Sequence, residues 1–142
     1  MLVVRRLIPE ELPWANERYG EIHFVPSADE DFIAVAEISN VKAGIGRLVP
    51  VDTTSAELGG MYVLPQFRGQ RVAKALVNFL LQASTHRRLY CVPFAYLEDF
   101  YRQFGFVPIP ERSNIPDSIA TKLHWCHAEY ASAVTLLVRD VE

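Results

Sequence analysis

Apolar residues along the chain change their spacing at several points, and this spacing predicts which segments are strands and which are helices. Runs typical of strands are found at 2–8, 31–39, 44–52, 56–64, 87–95 and 133–140. After Pro65 the period changes, since Val72 and Leu76 begin a series of apolar residues spaced by three and four. This series predicts an amphipathic helix, and the chain as a whole is expected to mix strands and helices.

Helical signals also occur elsewhere in the chain. Pro9 precedes two glutamates, whose negative charge suits the first turn of a helix. Residues 97–106 place aromatic side chains on one helical face, and Gly105 is suited to end that helix. A further helix is expected over 116–130, and a short strand is expected near 106–110.

The order of these elements predicts the fold class. The strands at 31–39 and 44–52 follow one another across a short polar turn, as in an antiparallel hairpin. The strand, helix and strand within 56–95 can form a parallel crossover. We therefore expect an α+β fold, in which a mostly antiparallel twisted sheet contains one parallel crossover and carries helices on both faces. No repeat or linker interrupts the pattern, so residues 1–142 are expected to form a single domain.

Composition narrows the classes of partner. The chain has 14 Lys and Arg against 17 Asp and Glu, a net charge of −3, which argues against nucleic acid or an anionic membrane as the main partner. Its opening, MLVVRRLIPEELPW, has too short an apolar run for a signal peptide, and no segment reaches the ~18 apolar residues that span a bilayer. A soluble, cytoplasmic protein is expected, with Cys91 and Cys126 reduced and buried.

The turn before the amphipathic helix is rich in cations. Arg68, Arg71 and Lys74 surround the helix N-terminus, and Gly69 removes a side chain from the main chain there. Cations at this end oppose the helix dipole by about 0.3–1 kcal/mol each, whereas the free N–H groups attract anions. A bound pyrophosphate would explain the three cations, and a solvated helix face is the alternative.

Two motifs carry a family resemblance. MYVLPQFRGQRVAKALVNFLL resembles the acetyl-CoA-binding segment of the GNAT family of N-acetyltransferases, in which an (Arg/Gln)-x-x-Gly-x-(Gly/Ala) turn opens a long helix. Arg71 stands at the family's central glycine, a departure that fits if its φ stays helical inside the first turn. EDFYRQFGFVPI resembles the later Tyr-x-x-x-Gly-Phe pattern through Tyr101, Gly105 and Phe106. The helix expected over 116–130 departs from the family, which usually closes with a strand pair.

The resemblance implies acetyl transfer from acetyl-CoA to a primary amine, by direct attack in a ternary complex. The amine acceptor would be a small molecule or a peptide. It also implies that main-chain groups at 61–63 bind the pantetheine arm and that the turn binds the pyrophosphate. The residues expected to bind acetyl-CoA are Met61, Tyr62, Val63, Arg68, Gly69, Gln70, Arg71, Val72, Ala73 and Lys74.

Two side chains are candidates for catalysis. Glu57 lies on the strand that often carries the family's base, and a base is needed because an amine of pKa ~10.4 is mostly charged at neutral pH. A solvent-facing or strand-end carboxylate is the alternative, since the bulge or close backbone approach expected at Gly59 and Gly60 leaves the direction of the Glu57 side chain open. Tyr101 is the candidate acid for the departing thiolate, and an ordinary core aromatic is its alternative.

Several other assignments follow. His124, Cys126 and His127 lack a nearby fourth ligand, so no metal site is expected, and His127 is a second candidate base. Neither cysteine is expected to act as a nucleophile. The last strand, if it lies at the sheet edge, can pair across a homodimer. A rival function is a non-catalytic CoA-binding or regulatory module with the same fold.

Overall fold

The computed structural model of the chain describes residues 1–109 and 114–141. Within these residues the strands are β1 Leu2–Arg6, β2 Phe32–Ile38, β3 Val41–Pro50, β4 Ser55–Val63, β5 Arg88–Cys91, β6 Val107–Pro108 and β7 Leu137–Asp140. The α-helices are α1 Leu12–Glu21, α2 Val72–Ala83, α3 Glu98–Arg102 and α4 Asp117–Glu129. Each predicted strand and helix is found, although several bounds differ.

The strands form one sheet in the order β1-β2-β3-β4-β5-β7-β6. The last strand, β7, pairs with both β5 and β6, so it is not the edge strand that pairing across a homodimer would require. The pair β4–β5 is parallel, with Ser55 opposite Arg88 and Glu57 opposite Tyr90. The pairs β1–β2, β2–β3, β5–β7 and β6–β7 are antiparallel. The expected fold class is confirmed, since the crossover through α2 joins the one parallel pair found among the described residues.

The chain divides into two compact units. The first contains Met1–Val49 and Gly60–Ser84, and the second contains Pro50–Gly59 and Thr85–Glu142. Strand β4 therefore supplies residues to both. No α-helix within the described parts of the chain is long and apolar enough to cross a membrane.

The core of the first unit has two faces, which the alternation of β3 separates. Ile45 packs with Tyr19 of α1 in one buried cluster. Gly44 and Gly46 face the other way, where a Cβ on Gly44 would lie 2.9 Å from Val72 Cγ1. Helix α2 buries its predicted apolar stripe against this face, so its periodicity is explained by packing.

The second unit has a core in which Tyr90, Ile119 and Val138 are buried together. Its elements are shorter than the sequence predicts. Strand β5 ends at Cys91 shortly before Pro93, which cannot donate to a ladder. Helix α3 has only five residues, and β7 begins at Leu137. Strand β6 covers two residues of the strand expected near 106–110. Residue 110 of that expected strand lies outside the described residues.

Candidate active site

The cationic turn, residues 68–74, links β4 to α2 in the first unit. Residues 68–71 are exposed, and the chain enters the helix at Val72. The Arg71 carbonyl accepts a hydrogen bond from the Ala75 N–H at 3.1 Å, so the N–H groups of residues 72–74 precede the intrahelical bonds. Within the described residues no side chain caps this helix end. The turn therefore presents free N–H groups together with positive charge.

Arg71 has a left-handed backbone, with φ 64° and ψ 22°, and is the N-cap of α2. The expectation that it lies inside the first helical turn with a helical φ was wrong. Glycine adopts positive φ without steric cost, which explains why the motif favours glycine at this position. Arg71 holds the conformation at a cost of about 1–2 kcal/mol and adds a guanidinium group to the turn.

Gly69 also has positive φ, at 80°, and a Cβ there would meet nothing within 4 Å. The requirement for glycine is thus conformational, and the space beside its main chain is open. Lys74 is exposed one turn into the helix. An anion can approach the turn from solvent.

The segment Met61–Val63 uses its side chains for packing. The Met61 thioether fills the space above Gly46 on the α2 side. Tyr62 packs on the other side, against the cluster around Tyr19. The Met61 and Tyr62 side chains are therefore both engaged in packing.

Strand β4 is distorted at Gly60, where φ is 60°. The Tyr19 hydroxyl donates to the Gly60 carbonyl at 2.9 Å, and a Cβ at Gly60 would lie 2.7 Å from both Tyr19 Oη and Arg47 Nε. The close backbone approach expected at Gly59 and Gly60 is confirmed. Only glycine fits because the conformation and the space both exclude a side chain.

Glu57 is buried in the second unit, with 5% of its surface exposed. Its Oε2 accepts a hydrogen bond from the Lys122 ammonium group of α4 and forms an ion pair with it. The alternative of a solvent-facing carboxylate is therefore wrong. A buried carboxylate beside one ammonium group can exchange protons with a second amine that reaches it.

Tyr101 and Cys91 share the core of the second unit with Glu57. Burial raises the pKa of the Tyr101 phenol well above its usual value, and Cys91 contributes a smaller rise through its charge. Burial also raises the pKa of the Cys91 thiol, to which the Glu57 carboxylate adds. Tyr101 packs edge-on against Phe106, with ring centroids 6.1 Å apart. The hydroxyl of Tyr101 is therefore a protonated donor at neutral pH, within a packed core.

Lys122 was missed by sequence reasoning. It lies 65 residues from Glu57, and no local pattern marks the pair. The sequence contains only an indirect signal for Lys122. The helix expected over 116–130 departs from the family pattern, and its polar residues have no partner that the sequence indicates. The structure shows that α4 brings its ammonium group to the candidate base.

The other residues of α4 that were considered as metal ligands or as a base differ in burial. Cys126 is buried, and desolvation raises the pKa of its thiol. His124 and His127 are exposed. Among the described residues no three His, Cys, Asp or Glu side chains are placed to hold a metal ion. Cys91 and Cys126 are both free thiols, as expected.

The structure thus forms two groups of candidate residues. Residues 61–63 and 68–74 belong to the first unit. Glu57, Tyr101 and Lys122 belong to the second. Glu57 and Met61 are four positions apart on β4, so the candidate base and the candidate pantetheine segment are on one strand.

Comparisons with known proteins identify the family of the chain. A family model of the acetyltransferase (GNAT) domain matches residues 29–108, more than half of the chain. Protein ElaA of Escherichia coli strain K12 is 31% identical over 64 residues, which cover 42% of this chain and 42% of ElaA. The sequence match thus spans less than half the length of this curated relative.

Solved structures share the fold. The crystal structure of E. coli ElaA has a TM-score of 0.72 and 16% identity, and the comparison covers 99% of this chain and 100% of that one. N-acetylglutamate synthase from Neisseria gonorrhoeae, complexed with coenzyme A and N-acetyl-glutamate, has a TM-score of 0.73 at 14% identity, over 100% of this chain and 35% of that one. Rv2747 from Mycobacterium tuberculosis, in complex with CoA, has a TM-score of 0.73 at 17% identity, over 99% of both chains.

Proposed function

Because the chain belongs to the GNAT acetyltransferase family, we propose that it is an N-acetyltransferase that moves the acetyl group of acetyl-CoA onto a primary amine. The observation that carries this proposal is the N-terminus of α2. There the N–H groups of residues 72–74 precede the first intrahelical bond and receive no side-chain cap from the described residues, and three cations oppose the helix dipole. A bound pyrophosphate offsets that unfavourable charge.

In this proposal the cosubstrate is held by two parts of the first unit. The turn binds the pyrophosphate through main-chain N–H groups and through Arg68, Arg71 and Lys74. Open space beside Gly69 supports this role. The main chain of Met61–Val63 hydrogen-bonds the pantetheine arm, and an N–H there polarises the thioester carbonyl. Packing of the Met61 and Tyr62 side chains supports a main-chain role.

Glu57 is proposed as the base. It removes a proton from the acceptor ammonium group, directly or through water, and the neutral amine then attacks the thioester carbon. The C–N bond forms, the C–S bond breaks, and the electron pair leaves on the CoA sulfur. The second proton of the attacking nitrogen passes to water, which restores the proton that the thiolate takes up. The burial of Glu57 supports the role, because little water competes for the carboxylate with an acceptor ammonium group that reaches it.

Tyr101 is proposed to donate its hydroxyl proton to the departing thiolate, or to hydrogen-bond it. A phenol is protonated at neutral pH, and the raised pKa of Tyr101 keeps it so, which favours a hydrogen bond to the thiolate over complete proton transfer. No acyl-enzyme forms in this scheme. The raised pKa of Cys91 supports that view, because the thiolate is the nucleophilic form of cysteine and is scarce when the pKa is high.

One observation favours a second candidate, a CoA-binding module without turnover. The Lys122 ammonium group already pairs with Glu57, so the carboxylate is engaged before any acceptor arrives. A module of this kind would bind acetyl-CoA at the same turn. It would release no thiol when amines are added.

The test combines thermal unfolding with thiol detection. Acetyl-CoA and CoA are expected to raise the unfolding temperature, by an amount that grows with ligand concentration. Arg68→Gln with Lys74→Gln should reduce that shift, whereas Arg18→Gln, which removes a cation from α1 in the same unit, should not. Thiol release on adding amines then separates the transferase from the binding module. No shift at saturating acetyl-CoA would contradict both.

A further inference from the structure

A buried arginine in the first unit has no carboxylate partner among the described residues. Arg47 of β3 is 5% exposed. Its Nη1 donates to Ser27 Oγ at 2.6 Å, whereas its Nε is buried without an acceptor. A guanidinium group has five N–H donors, and one hydrogen bond leaves most of them unused.

Other arginines in the chain show what the usual arrangement is. Arg5, although more exposed, contacts Glu11 at 2.7 Å and Glu37 at 3.2 Å. Arg88 contacts Asp140 at 2.6 Å. A buried charge is rarely left without a counter-charge, because desolvation of an ion is costly. Among the described residues, Arg47 has one hydrogen bond, to the neutral Ser27 hydroxyl, and the face of Tyr19, 4.3 Å from its Cζ.

The surroundings hold the guanidinium group in place. The Ser27 N–H donates to Asn16 Oδ1 at 2.7 Å, and Asn16 Nδ2 donates back to the Ser27 carbonyl at 3.1 Å. This pair of bonds fixes the hydroxyl that meets Arg47. Tyr19, which lies under the guanidinium group, is itself fixed by its bond to the Gly60 carbonyl. The arrangement is preorganised by α1 and the segment that follows it.

Position along the chain connects Arg47 with the proposed reaction. Its Nε lies beside Gly60, where any Cβ would come within 2.7 Å. Gly60 is three positions after Glu57 on β4 and directly precedes Met61. The cation therefore lies next to the residue that precedes the proposed pantetheine segment, and both are in the first unit. An acceptor amine has to reach this part of the strand.

We propose that Arg47 binds the carboxylate of the acceptor, so that the substrate class is an amine that also carries a carboxylate group. This inference rests on the proposed function. A guanidinium fork matches a carboxylate in two parallel hydrogen bonds. A phosphate dianion fits less well, because the groups that hold Arg47, namely Ser27, Asn16 and Tyr19, are neutral and supply no second cation.

The test uses matched pairs of acceptors that differ only in the carboxylate. L-phenylalanine is compared with phenethylamine, and L-lysine with cadaverine, by thiol release from acetyl-CoA. The natural chain should prefer the carboxylated member of at least one pair by roughly 100-fold in kcat/KM, the scale of one charge-assisted contact. Arg47→Gln should reduce that ratio to within about threefold, and Ser27→Ala should reduce it partly, whereas Arg18→Gln should leave it unchanged.

The outcomes separate the two proposals. Thiol release with equal rates within every pair would overturn the role of Arg47 and leave the transferase standing. An acetyl-CoA shift without thiol release from any amine would contradict the transferase. In that case calorimetric titration with N-acetyl-L-phenylalanine tests the carboxylate site by itself. Binding to the natural chain that is lost in Arg47→Gln would support the site. Absence of binding to the natural chain would overturn it. If Arg47→Gln does not fold, Arg47→Lys is used instead, because it keeps the charge and removes the guanidinium fork. An unchanged ratio of kcat/KM between the two members of a pair in that variant would also count against the proposal.

Discussion

The Lys122 ammonium group of α4 pairs with the buried Glu57 carboxylate of β4. The two side chains differ in exposure, 29% for Lys122 and 7% for Glu57. Removing the lysine therefore leaves a buried carboxylate without its counter-charge, whereas removing the carboxylate leaves an ammonium group that can turn to solvent. The two removals are therefore expected to differ in their effect on the free energy of unfolding.

The first prediction concerns the contribution of this ion pair to the free energy of unfolding. Lys122→Met should lower the free energy of unfolding by about 1–3 kcal/mol, because an unpaired buried carboxylate is costly. Glu57→Gln should lower the free energy of unfolding by less than Lys122→Met does. The double variant should lower it by less than the sum of the two single effects. Urea unfolding of all four proteins measures the coupling. Additive effects would show that the pair contributes nothing.

Glu57→Gln should lower kcat by about 10²–10⁴-fold while the acetyl-CoA-induced thermal shift is retained. The amide keeps the shape of the side chain but accepts no proton. Glu129→Gln is the matched control, because Glu129 is an exposed carboxylate in the same unit. Equal activity in both variants would exclude Glu57 as the base and direct attention to His127.

Tyr101→Phe should slow thiol release by about 10–100-fold without weakening acetyl-CoA binding, since only the hydroxyl group is removed and the ring packing with Phe106 is kept. Tyr96→Phe is the control, because Tyr96 is 74% exposed. The comparison is made at saturating acetyl-CoA. Unchanged kcat in Tyr101→Phe would leave this residue a role in the core alone.

Arg71→Gly should be more stable than Arg71→Ala by about 1 kcal/mol in the absence of ligand. Glycine relieves the positive φ of 64°, and alanine does not. Both variants lose the same cation, so acetyl-CoA should stabilise both less than it stabilises the natural chain. Thermal unfolding with and without acetyl-CoA measures the two effects separately. Equal stability of the two variants would argue against the left-handed conformation.

The thiols provide a prediction about pH. Burial raises the pKa of Cys91, so its thiolate is scarce at neutral pH and increases only in alkaline solution. Native protein at pH 7 should therefore react with iodoacetamide much more slowly than protein unfolded in urea. Cys91→Ala and Cys126→Ala should retain turnover. Loss of turnover in a folded variant that still binds acetyl-CoA would contradict direct attack.

The sequence predicted local features well where one physical cause acts over a short range. Helix α2 follows from apolar residues at helical spacing, because only one face of the helix packs inside. The glycine requirement at Gly60 also followed, since paired glycines in a strand indicate a bulge or close approach. The lengths of β5 and α3 did not follow, because apolar residues continue beyond the point where pairing and helical bonds end.

What the sequence determined by itself is the fold class, the helix that begins after the cationic turn, and the residue types around that turn. The tertiary structure decided the backbone conformation of Arg71, the ion pair of Glu57 with Lys122, and the burial of Arg47 without an ion-pair partner among the described residues. Glu57 and Lys122 are 65 residues apart, and Arg47 meets Ser27 across 20. Burial and pairing at such separations depend on the packing of strands and helices, which no local pattern encodes.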